Sequence, residues 1–121
     1  MSYKKVEIWI LAEIMVNDVH FMTFKSLPVF EQYETGSQIR RSVKSIKSNI
    51  VEGYGRKSYP KEYLRFLTIA NASLDESKDH LETLFQTKSL KDKECYERLH
   101  RNMELLGRKL YRFIQRVRQD C

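Results

Sequence analysis

The chain has 121 residues, 41% hydrophobic and 31% charged with only four glycines and two prolines, so it reads as one helix-rich domain, residues 1–121, and not as a disordered chain. A net charge of +6 and a pI near 9.4 favour an anionic partner, nucleic acid first, although such charge also serves solubility alone. Cys95 and Cys121 have no disulfide or zinc spacing, and no apolar run approaches the ~18 residues a bilayer requires, so a soluble cytoplasmic protein without membrane contact is expected.

In chain order, Ile8, Ala12, Met15, Val19 and Met22 repeat at 4-3-4-3 spacing and predict a first helix, thickened by Trp9 and Val16. Pro28 ends it, because proline disfavours helical geometry in the residue before it. The segment PVFEQYETG, residues 28–36, is expected to be the longest connection. Ser37 is the expected N-cap of a second, short helix carrying Ile39, Val43, Ile46 and Ile50, which Gly53 and Gly55 should stop, Gly53 in the left-handed C′ position. Pro60 opens a third helix with the stripe Leu67, Ala70, Leu74, Ser77, Leu81 and Leu84. Asp92 caps a fourth, whose stripe runs Tyr96, Leu99, Met103, Leu106, Leu110, Phe113 and Val117. Nothing alternates with period two. The prediction is an all-α protein, an antiparallel up-down-up-down four-helix bundle.

The second helix divides into three faces. Beside the apolar stripe lies a basic flank of Arg40, Arg41, Lys44 and Lys47, which Arg56 and Lys57 extend past the glycines. Cations one turn apart can follow a phosphate backbone. Arg108, Arg112 and Arg116 form a second basic row on the fourth helix, with Tyr111 interleaved as a stacking candidate and Phe113 assigned to the core. The remaining sector of the second helix holds Gln38, Ser42, Ser45, Asn49 and Glu52. It is open to three interpretations: a polar seam against a neighbouring helix, a solvated face, or an active site. Ser73 and Glu76, three apart on the third helix, are the candidate partners for a seam of Ser45, Asn49 and Glu52, with Arg41 or Arg65 as counter-ion for Glu76.

Enzymatic chemistry has little to draw on. A Glu and an Asn without histidine or nucleophile at helical spacing lack the partners of acid–base catalysis. Glu97 and His100 make one Glu-x-x-His pair where a helical di-metal site needs two. No catalytic residue, metal site or cofactor is expected.

The stretches SQIRRSVKSIKSNIVEGYGR and RFLTIANASLDE resemble the four-helix-bundle family encoded by intervening sequences in bacterial 23S ribosomal RNA genes. The pattern rests on Gln38, Arg40, Arg41, Ser45, Ser48-Asn49-Ile50, Glu52-Gly53 and Gly55-Arg56, then Phe66-Leu67, Ala70, Ser73-Leu74 and Glu76, with Trp9, Ala12 and Leu27-Pro28 upstream. Lys44 and Lys47 depart from it, standing where members commonly carry a small apolar residue and a proline. The resemblance implies a homo-oligomeric ring, pentameric in the family, without catalytic activity. A related branch serves as accessory protein of a reverse transcriptase in diversity-generating retroelements. The resulting expectation is a ring that binds structured RNA through its basic surface, with a protein-interaction module lacking direct RNA recognition as the alternative.

Overall fold

The computed structural model describes residues 2–121. A 3-10 turn at Tyr3–Lys5 leads into α1 (Glu7–Ser26), a single-turn α2 (Val29–Gln32), α3 (Thr35–Tyr54), α4 (Pro60–Gln86) and α5 (Lys93–Gln119), with no strand among the described residues. At 1.5 Å per residue the last two helices are about 40 Å long and α1 and α3 about 30 Å.

Contacts between neighbouring long helices run in opposite directions along the chain. Glu13 meets Lys47, whereas Thr23, further along α1, meets Arg40, earlier on α3. Ser42 pairs with Ser77 and Ser45 with Ser73 between α3 and α4, while Tyr63 meets Phe113 and Phe85 stacks on Tyr96 between α4 and α5. Glu7 meets Lys109, and Asp18 meets Arg98, between α1 and α5. The result is an up-down-up-down four-helix bundle in which α3 stands diagonally opposite α5.

The helical stripes become the core. Ile8, Ala12, Met15, Val19 and Met22 of α1, Ile39, Val43, Ile46 and Ile50 of α3, and Leu67, Ala70, Leu74, Ser77, Leu81 and Leu84 of α4 are all buried. On α5, Leu99, Met103, Leu106, Leu110 and Val117 are buried, while Tyr96 and Phe113 pack at the margin. Burial of each large aliphatic side chain stabilises the fold by about 1.5–3 kcal/mol. The local signals at three ends act as expected: Leu27 is extended before Pro28, Pro60 starts α4, and the Asp92 carboxylate accepts from the Cys95 N–H at 3.1 Å.

Three boundaries differ from expectation. Residues 28–36 are not one open connection, since they form α2 and the first turn of α3. Ser37 does not cap α3: the helix starts at Thr35, whose N–H is taken at 3.1 Å by the Glu31 carboxylate reaching over from α2. Gly53 does not stop the helix, which continues to Tyr54, and no glycine has a positive φ. Its lack of a side chain serves packing instead, because a Cβ there would lie 3.0 Å from Tyr63 Cδ1 and 3.2 Å from Phe66 Cβ of α4. The left-handed residue of the fold is Lys88, at φ 65°, where the chain leaves α4 and the Leu90 N–H returns to the Leu84 carbonyl at 2.9 Å.

Candidate nucleic-acid interface

The polar sector of α3 lies against α4. Ser42 and Ser77 are buried and 2.7 Å apart, and each also reaches its own backbone, Ser42 Oγ to Ile39 O at 3.1 Å and Ser77 Oγ to Ser73 O at 2.8 Å. Two hydroxyls have two protons for these three contacts, so one donates across the seam while the other donates to a carbonyl. One turn away, Asn49 Nδ2 donates to Ser45 O and Oγ at 2.8 and 3.1 Å, and Ser45 Oγ lies 2.8 Å from Ser73 Oγ. Small polar side chains thus let two backbones approach with every hydroxyl engaged.

Glu52 and Glu76 stand outside this seam. Both are exposed; Glu52 pairs with Arg56 at 2.8 Å and Glu76 with His80 at 3.1 Å, where water bears most of the charge. Neither Arg41 nor Arg65 serves Glu76, and Arg65 faces Glu62 at 3.5 Å. The seam centre extends to Ser77, which helical spacing alone had placed in the apolar stripe.

The basic flank of α3 splits in two. Arg40 turns to α1, donating to Thr23 Oγ1 at 2.9 Å with its guanidinium 4.3 Å from the Phe24 ring centroid. Lys47 does likewise, 2.9 Å from Glu13 Oε1 and over the Trp9 ring. Both cations tie α1 to α3. Arg56 is held by Glu52 and Phe66, and Lys57 donates to Tyr54 Oη at 2.9 Å. Arg41 and Lys44 are the exposed pair, three residues apart on the outward side of α3 and without an acidic partner among the described residues.

On α5, Arg108, Tyr111 and Arg112 are exposed and border a shallow groove against α4, floored near Asn71 and Gly107. Arg116 lies over Phe113, 5.3 Å from its centroid. Because α3 and α5 are diagonal, these residues and the pair Arg41 and Lys44 look away from one another and form two separate basic faces. Lys5 and Lys109 add further cations at the bundle end where α1 starts and α5 finishes. Sequence reasoning passed over them, and the signal was topological: antiparallel packing brings the start of the first helix to the end of the last.

Reactive groups are muted. Burial pushes the Cys95 thiol up despite nearby Arg98, which disfavours the nucleophilic thiolate. His100 sits 3.0 Å from Glu82, and no group of three His, Cys, Asp or Glu side chains that would share a metal ion occurs among the described residues. No described helix is long and apolar enough to cross a membrane.

These features define a four-helix-bundle protein with a polar helix–helix seam and two exposed basic faces. The chain belongs to the 23S rRNA-intervening sequence protein family, whose model matches residues 4–112. It is also similar to a crystal structure of a protein with unknown function from the S23 ribosomal protein family of Bacteroides thetaiotaomicron. That similarity has 25% identity and a TM-score of 0.72 over 89% of this chain and 95% of that one. Neither description names an enzymatic activity. No curated protein matches the chain significantly.

Proposed function

We propose that this protein is a non-enzymatic homo-oligomer, a pentameric ring by the family resemblance, that binds structured RNA in the cytoplasm through its basic faces. The observation that carries this reading is the exposure of Arg41, Lys44, Arg108 and Arg112 without acidic partners, while Arg40, Lys47, Arg56 and Lys57 are held by their own subunit. Cations left unpaired on a helix surface are available to replace the counter-ions of phosphates. Self-association is supported by α1, which is apolar on its outer side as well as its inner. Ile10, Ile14 and Phe21 follow one another along it, and Val29 and Phe30 of α2 are also exposed. A helix apolar on both sides is normally buried on both, here by a second copy.

Fluorescence anisotropy with an RNA hairpin across salt tests the RNA reading. The Arg41→Glu/Lys44→Glu variant is expected to lower the slope of log affinity against log salt by roughly two, about 0.9 per phosphate contact, and to weaken binding across RNA sequences. Lys47→Ala, which removes a contact internal to the subunit, should leave that slope unchanged. Binding that is absent, or insensitive to salt and to the double reversal, overturns the reading.

The same apolar outer face favours the second reading, a protein-interaction module such as a reverse transcriptase accessory. Its mark is an assembly that forms on a light-scattering sizing column, is broken by Phe21→Lys, and takes up no RNA.

A further inference from the structure

At the bundle end where α1 begins and α3 and α5 finish, the helices do not close on one another. They leave a cleft of about 560 Å³, within the range of small-ligand sites. Its inner wall is apolar and buried, formed by Val6 and Ile8, with Tyr54 and Phe113 at the sides. Its mouth is cationic. Lys5, Arg112 and Arg116 border it with no acidic partner among the described residues, and the one carboxylate that lines it, Glu7, is paired with Lys109 at 3.4 Å. Arg116 is held in place over the Phe113 ring, which orders its guanidinium before any ligand arrives.

An apolar, aromatic-sided wall beneath three unpaired cations suits a molecule with a flat apolar part and a multiply charged anionic part. A phosphomonoester carries about −1.5 to −2 at neutral pH, more than the single charge of an internal phosphodiester, and guanidinium groups recognise it through paired N–H donors. We propose that this cleft binds one phosphorylated nucleotide, its base against Val6, Ile8 and Tyr54 and its terminal phosphate on Lys5, Arg112 and Arg116. The nucleotide is either free or the phosphate-bearing end of an RNA chain. This goes beyond the proposed function, which places RNA along the helix faces, because it assigns a pocket that shares only Arg112 with those faces and a single nucleotide as the unit recognised.

The test is calorimetric titration of the full chain with AMP, with adenosine, and with short RNA oligonucleotides bearing a phosphate at the 5′ end, at the 3′ end or at neither. Expected are binding of AMP without binding of adenosine, or a roughly tenfold preference for one phosphate-ended oligonucleotide over the hydroxyl-ended one, the factor an added charge-assisted contact supplies. AMP binding without an end preference identifies the free nucleotide as ligand, and an end preference without AMP binding identifies the RNA terminus. Lys5→Glu, at an exposed position outside the proposed RNA faces, should abolish either signal, and Arg116→Glu should do the same. Absence of both signals in the unaltered protein, or their persistence in both variants, overturns the proposal. Failure of the RNA-binding reading is separately visible as no affinity for hydroxyl-ended RNA, which leaves the AMP titration readable.

Discussion

Glu31 offers the sharpest test of how the bundle end opposite that cleft is held. It is nearly buried, and its carboxylate joins three segments: Oε1 accepts from the N–H of Thr35, the first residue of α3, and Oε2 accepts from Ser89 Oγ at 2.6 Å in the turn between α4 and α5. Glu31→Ala removes a helix cap, costing about 1 kcal/mol, and a hydrogen bond to a charged group, costing about 1.5–3 kcal/mol. The carboxylate lies just beneath the surface, where water softens its charge, so a total of about 2–3 kcal/mol is expected. For a domain of this size that lowers Tm by roughly 8–12 °C. The hydrogen bond from Ser89, opposed by desolvation and aided by the weaker hydrogen bonding at Thr35, holds the Glu31 carboxyl below its usual range. A carboxylate with a depressed folded-state pKa adds stability above its unfolded value of about 4.3 and loses it as pH falls through the folded value. The gap between unaltered protein and variant, measured by thermal melts, is therefore largest at neutral pH and narrows below about pH 4. A drop under about 2 °C at neutral pH, or a gap that stays constant on acidification, would refute the reasoning.

Two further substitutions probe backbone placement. In Gly36→Ala the new Cβ would sit 2.7 Å from the Glu31 carbonyl oxygen, a backbone atom that cannot swing aside, so denaturant unfolding should report a loss of about 1–3 kcal/mol despite the better helix propensity of alanine. Lys88→Gly should act in the opposite sense, raising stability by about 1 kcal/mol in urea melts, since glycine adopts φ 65° without the steric cost a lysine bears. A destabilised Lys88→Gly variant would mean that the lysine side chain contributes more than its backbone strain costs.

Features that act within one or two turns were legible in the sequence. The apolar stripes map onto the buried residues, save that on α5 Tyr96 and Phe113 stand at the margin and Ile114 is buried instead, because helical period decides which positions share a side, and Pro60 and Asp92 mark helix starts through their own backbone chemistry. Gly53 was misleading for the opposite reason: a glycine near a helix end favours a left-handed stop locally, but here the close approach of Tyr63 and Phe66 explains it. Ser37 looked like a cap because its residue type fits, whereas the group that does the work is a carboxylate brought in by α2. In the polar sector, neutral Ser45, Asn49 and Ser73 meet between helices, while Glu52 and Glu76 meet Arg56 and His80 one turn away in water and avoid the cost of burial.

The sequence by itself determined the number of long helices, their buried sides and the excess of positive charge, all of which follow from residue type and short-range periodicity. Only the tertiary structure decided which cations remain available. Arg40 and Lys47 are drawn inward because Thr23, Phe24, Glu13 and Trp9 happen to face them from α1, while Arg41 and Lys44, of the same chemistry and on the same helix, meet no such partners. Antiparallel packing likewise brings Lys5 from the start of the chain beside Arg112 and Arg116 near its end, a juxtaposition that no local pattern encodes.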